Sequence, residues 1–157
     1  MSLIAFAEAL THTAPGAALR NASPSTVLGI QLGHVLGLIL LLTSLLIVNL
    51  RLLGLGLRQQ SLAQVTGSTR WALWTGAVLA IGSGSLLFLS APVHYAGNAA
   101  FVPKMCLLAG ALFVQATLYR AVTHSDRPSP LLARTTAVLS LTLWFSVGLF
   151  GRAIGFV

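Results

Sequence analysis

The sequence predicts an all-α integral membrane protein, a four-helix bundle preceded by a short interfacial helix. Composition is the first reason. Of 157 residues, 56% are hydrophobic and 7% charged, and a mean hydropathy of +0.90 is more than a soluble domain of this size sustains. The second is spacing: the few charges leave four long apolar stretches, at about residues 27–50, 71–91, 101–122 and 135–156. The third is length. As a helix rising 1.5 Å per residue, residues 27–50 would extend about 36 Å, enough to cross a hydrocarbon core of roughly 30 Å. One membrane domain, residues 1–157, accounts for the whole chain.

Residues 2–12, SLIAFAEALTH, are too short to span and carry Glu8 in their middle. With no basic segment before them they do not make a secretory signal peptide. They read as an amphipathic helix on the membrane surface, with Leu3, Ile4, Phe6, Ala7 and Leu10 turned toward lipid or the bundle. Residues 13–26 read as a break, in which Ser23-Pro24-Ser25-Thr26 offers hydroxyl caps for the first span.

That span, within GIQLGHVLGLILLLTSLLIVNLRLLGL, contains a single ionisable side chain, His34, before Arg51. A charge at such a depth costs roughly 2.5 kcal/mol or more, so His34 is expected to face a partner. Gly29, Gly33 and Gly37 recur every four residues and form a ridge of small residues beside it. A neighbouring helix is the favoured occupant of that ridge, and a flat cofactor the other. Asn49 and Arg51 are expected to leave the hydrocarbon, Arg51 as an interfacial anchor or turned toward phosphate, a helix or a ligand.

Residues 58–70 are polar and read as a linker holding at most part of a helix. The second span opens on Trp71 and Trp74, which suit an interfacial aromatic belt. Its Gly76, Gly82, Ser83, Gly84 and Ser85 make it, with the glycine ridge, the expected centre of close packing. The connection APVHYAGNAAFVPK is set by Pro92, Gly97 and Pro103, and Pro103 suits a first helical turn. Lys104 then lies at the unfavourable end of a helix dipole, a penalty of up to about 1 kcal/mol, so another group or the lipid headgroups should hold it. In the third span Gln115 and Thr117 are expected to hydrogen-bond between helices. Residues 125–130 read as a turn, with His124 solvated beside it. The last span carries Trp144 in its middle and Arg152 near its end, where the dipole favours a cation.

Nine basic residues against two acidic ones give a net charge of +7. They sit at span ends rather than on a stripe interleaved with aromatics, which argues against nucleic acid. Arg51, Arg58, Arg70, Arg120, Arg127 and Arg134 fall in loops 51–70 and 120–134, against Arg20, Lys104 and Arg152 at the opposite side. The positive-inside bias then puts those loops in the cytoplasm and both termini outside. The lone Cys106 makes neither a disulfide framework nor a cysteine zinc motif. There is no P-loop, no Gly-x-Gly-x-x-Gly and no hydrolase-like grouping of nucleophile, base and orienting residue.

An up-and-down topology gathers His34, His94, Tyr95, Asn98, Lys104, Met105, Cys106 and Arg152 in the outer half, with His34 about 10 Å below the boundary near Val27. A histidine beneath a rim of cations suits a ligand with an apolar body, one coordinating or hydrogen-bonding centre and anionic edges. Haem b fits, with His34 on the iron and Lys104 and Arg152 near the propionates, and so does a quinone whose carbonyl meets His34. His94, Tyr95, Asn98 and Met105 complete the candidate set. Haem lacks a second histidine within a span, so His94 or Met105 would have to serve. Copper is the lesser alternative, because His34, His94, Met105 and Cys106 show no tight ligand spacing.

Four features carry a family resemblance: His34 itself, Asn49-Leu50-Arg51-Leu52-Leu53-Gly54-Leu55, the Tyr95-x-x-Asn98-x-x-Phe101-x-x-Lys104 approach to span three, and the closing Gly151-Arg152-Ala153-Ile154-Gly155-Phe156. Over nearly its whole length the chain resembles small four-span bacterial inner-membrane proteins built on a domain of unknown function, loosely similar to the copper-resistance D-type membrane domain. It departs from that pattern at Asn49, where an acid is usual, and at Tyr119 and Arg120, where many members carry a histidine. In plan it is also similar to the bacterial membrane protoporphyrinogen oxidase, an analogy of architecture only. The resemblance implies a multi-pass protein of the bacterial inner membrane.

The function expected is therefore a membrane subunit of an electron-transfer system, an oxidoreductase subunit if it is catalytic, binding haem b or a quinone around His34. It would meet lipids, and a redox partner subunit or further copies of itself. The alternative is a non-catalytic membrane subunit, or a copper or small-solute permease component, in which His34 serves only as an interhelical hydrogen-bond donor.

Overall fold

The computed structural model describes residues 2–125 and 129–156. They form α1 (Leu3–Thr11), α2 (Ala14–Arg20), α3 (Pro24–Leu53), α4 (Leu62–Ser90), α5 (Pro92–Gly97), α6 (Phe101–Val114), a π turn (Gln115–Tyr119), α7 (Arg120–Thr123) and α8 (Pro130–Ala153). Four segments are long and apolar enough to cross a membrane: α3, α4, Phe101–Thr123 and α8. The protein is an all-α multi-pass membrane bundle, as its composition requires.

Each long helix begins where its sequence provides a start. Ser23 accepts from Thr26 N at 3.3 Å with Pro24 as the first residue of α3, where a missing N–H costs nothing. Ser61 and Gln64 form a reciprocal capping box at the head of α4, satisfying two free donors at once. That box starts α4 nine residues before the apolar stretch at Trp71, so most of the expected 58–70 linker is helix. Pro130 opens α8, earlier than residue 135, because proline suits a first helical turn. The turn expected at 125–130 falls largely on residues 126–128, which lie outside the described residues.

The break expected at 13–26 also differs from what forms. Thr13 Oγ1 accepts from Gly16 N at 3.3 Å and caps α2, with Pro15 in its first turn. Gly16 tucks against the carbonyl of Leu10, where no side chain would fit. α3 ends at Gly54, whose φ of 72° lets Leu55 N reach back to Leu50 O at 3.0 Å, a left-handed closure that glycine makes without strain.

α3 and α4 are antiparallel and make the most extensive helix pairing, and α8 packs antiparallel to both α3 and α6. In their apolar windows 39% of α3 and 33% of α8 is buried, against 11% of α4 and 6% of the third span. α3 and α8 are thus the central pair, and α4 and α6 carry most of the lipid-facing surface. At the end holding the termini, α1 packs on α5 and α2 on α4, and Phe88 of α4 stacks on Phe101 of α6 at 5.2 Å. α1 buries Ala7 and leaves Leu3, Ile4 and Phe6 exposed, the two-sided arrangement expected of an interfacial helix.

Candidate functional site

His34 projects from α3 onto α4 near the termini end. Its Nδ1 lies 3.1 Å from Ser83 Oγ, and its ring comes close enough to Gly84 that a Cβ there would be 3.0 Å from His34 Cε1. The hydroxyl of Ser83 donates to the carbonyl of Leu79 one turn back. A serine has one proton to give. Its oxygen can therefore accept from His34 Nδ1, whose ring also meets the backbone of Ala80, and with the proton of the uncharged imidazole on Nδ1 the lone pair is left on Nε2. A hydrogen bond at one ring nitrogen fixes the chemistry of the other in this way.

Lys104 enters from α6. Its ammonium lies over Gly151 of α8, whose missing side chain makes room: a Cβ there would be 3.4 Å from Nζ. From that position its charge acts on the His34 ring. Gly151 thus makes room for the cation that the dipole argument singled out. Asn98 is buried; its Nδ2 donates to Ile154 O at 3.2 Å and its Oδ1 accepts from Ala100 N at 2.9 Å, tying the end of α8 to the start of α6. Tyr95 sits in an aromatic group with Phe88 and Phe101, at centroid distances of 6.3 and 6.2 Å. Burial raises its phenol above the ordinary value, so it remains a hydrogen-bond donor at neutral pH.

The other candidates stand apart. His94 is exposed and meets Tyr95 edge-on. Arg152 is exposed, with its guanidinium 4.1 Å from the centre of the Phe156 ring. Met105 and Cys106 are exposed on α6, where lipid would meet them. Among the described residues no three His, Cys, Asp or Glu side chains are placed to share a metal ion. For a haem, His34 is the one candidate ligand that lies between helices, since His94 and Met105 are both exposed.

Part of the glycine ridge is filled by a helix. A Cβ on Gly37 would fall 2.6 Å from Ala80 N, and one on Gly76 would fall 2.5 Å from Leu41 N. Gly29 and Gly33 have no atom within 4 Å of the same position. Two other expectations change. Asn49 does not leave the hydrocarbon but is wholly buried, donating to Ser140 Oγ of α8 at 3.1 Å. Thr117 bonds its own helix, at Phe113 O, rather than another. Arg51, in the last turn of α3, donates to Gln60 O of the loop that follows. Asn49 lies on the buried face of α3 with Gly37, Leu41, Leu45 and Val48, a face that the equally apolar lipid-facing side hides in the sequence.

Comparison with curated proteins and with solved structures returned no match. The model of one family, described only as a family of unknown function, matches residues 25–157 and so takes in all four long helices and the His34 site. The chain belongs to this family of unknown function, DUF6644.

Proposed function

We propose that the protein is a membrane subunit of an electron-transfer system that binds a quinone or quinol head group at His34. The observation that carries this reading is the Ser83 hydrogen bond, which leaves Nε2 of His34 as a ready acceptor while Lys104 supplies a donor nearby. A quinol hydroxyl would donate to Nε2, and a carbonyl oxygen would accept from Lys104. The open surface at Gly29 and Gly33 gives a lipid-soluble ligand an approach along α3. Haem b is the competing ligand, since the same Nε2 could coordinate its iron. The loops with Arg51, Arg58, Arg70, Arg120 and Arg134 face the cytoplasm of the bacterial cell, and the His34 end faces outward. The lightly buried third span leaves a face for a redox partner or a second copy.

Detergent-purified protein should retain an extractable quinone and show no Soret band, with or without dithionite. A Soret band would assign haem instead, and a colourless protein without quinone would remove both. A reporter active only in the periplasm should be silent when fused at residue 60 and active after Val157; the reverse would place the site on the cytoplasmic side.

A second reading draws on the same contact. The His34–Ser83 bond is also what an interhelical packing histidine makes, as in a non-catalytic subunit or a permease component, and the two readings part on whether His34 is needed for anything besides folding.

A further inference from the structure

In the half of the bundle away from His34, four buried polar atoms have no hydrogen-bond partner among the described residues: Asn49 Oδ1, Gln115 Oε1, Thr136 Oγ1 and Trp144 Nε1. Asn49 and Thr136 are wholly buried, and Trp144 is 5% exposed. They belong together. Asn49 Nδ2 donates to Ser140 Oγ, and Thr136, Ser140 and Trp144 follow at four-residue steps along one face of α8. Gly151 against Lys104 and Gly110 against Leu143 set the antiparallel register of α6 and α8, which brings Gln115 level with Ser140. The buried phenol of Tyr119 lies one turn further on, beside Gln115. Here α6 gives way to the π turn, an interruption that recurs where a helix carries function.

The chemistry of the set limits its occupant. It contains two amide carbonyl acceptors, one indole donor and a hydroxyl that does both. A metal cation would want oxygens alone and a carboxylate to balance it; the Trp144 N–H opposes it, and no acid is among these residues. An anion would find no cation. A neutral molecule that both donates and accepts fits each group. From Thr136 to Trp144 is eight residues, about 12 Å along α8, beyond the reach of one water molecule. We infer that a short file of ordered water runs between α3, α6 and α8, from Thr136 past the Asn49–Ser140 pair to Trp144. Each water needs two to four polar partners, and Asn49, Gln115, Thr136, Ser140 and Trp144 supply them in a region where lipid offers none. The inference is independent of what binds at His34.

The test is solid-state NMR on the full chain in lipid bilayers, labelled with 15N at tryptophan, reading magnetisation passed from water to each indole N–H. Trp144→Phe assigns the signal, and the exposed Trp71 and Trp74 serve as wetted references. The buried Trp144 indole is expected to receive water magnetisation, and Asn49→Leu, which fills the layer with an apolar side chain, is expected to abolish that transfer. A silent Trp144 beside responsive Trp71 and Trp74 would mean a dry layer and overturn the proposal. So would a Trp144 signal that shifts when sodium is exchanged for N-methylglucamine at constant ionic strength, because that would make the layer a cation site.

Discussion

Gly76→Ala should destabilise the bundle by about 3 kcal/mol, at the upper end of the overpacking range. The added Cβ would lie 2.5 Å from Leu41 N and 2.8 Å from Gly37 O. Both are backbone atoms of α3, so no side chain can rotate aside and the helices must separate. Gly37→Ala meets the reciprocal obstacle at Ala80 N, 2.6 Å away, and should behave alike. Because α3 and α4 form the most extensive pairing, the loss should appear as a lower midpoint for thermal or SDS unfolding followed by helicity. Gly29→Ala and Gly33→Ala, at positions open to 4 Å, are the controls and should change stability by no more than about 0.5 kcal/mol. If Gly76→Ala and Gly33→Ala unfold at the same midpoint, the helices do not cross where Gly37 meets Gly76.

The contrast among those glycines shows what could be read from the sequence. The four spans follow from the gaps between charges, because an ionisable group in hydrocarbon is costly whatever its neighbours. The closeness of Gly37 to Gly76 follows from small residues on both helices. The starts of α2 and α4 were missed for a different reason. Thr13 with Pro15 and Ser61 with Gln64 are start signals that lie in polar sequence, where hydropathy alone sees a loop.

Which face of each helix meets protein was harder to read. In a membrane the lipid-facing side is as apolar as the buried side, so hydrophobic periodicity loses much of its contrast. Thr117 and Asn49 exchanged their expected environments on that account. The pairing of His34 with Ser83 depended on the register of α3 against α4, which neither helix specifies alone. Lys104 could be recognised as misplaced at a helix start, but its answer, Gly151, lies 47 residues along the chain and becomes a neighbour only through the α6–α8 register.

His34→Gln should leave the fold intact and remove the bound quinone. The glutamine amide can still donate to Ser83 Oγ, so the structural loss should stay near the roughly 0.6 kcal/mol average for a hydrogen bond between membrane helices. It does not reproduce the imidazole lone pair at Nε2. Losing a hydrogen bond of about 1.4 kcal/mol corresponds to a tenfold weaker complex, enough to strip quinone during purification. Ser83→Ala separates the two roles of the ring: it frees Nδ1, lets the proton move to Nε2, and should lower quinone content while helicity and melting stay near wild type. Lys104→Ala should weaken binding about threefold to tenfold, as a partly hydrated donor. Arg152→Ala should have a smaller effect, because its guanidinium stacks on Phe156 and contributes only at the periphery. The measurement is quinone per protein after extraction, alongside an unfolding curve for each variant. If His34→Gln and Ser83→Ala both fold normally and keep their full quinone content, His34 is a packing residue and the ligand lies elsewhere.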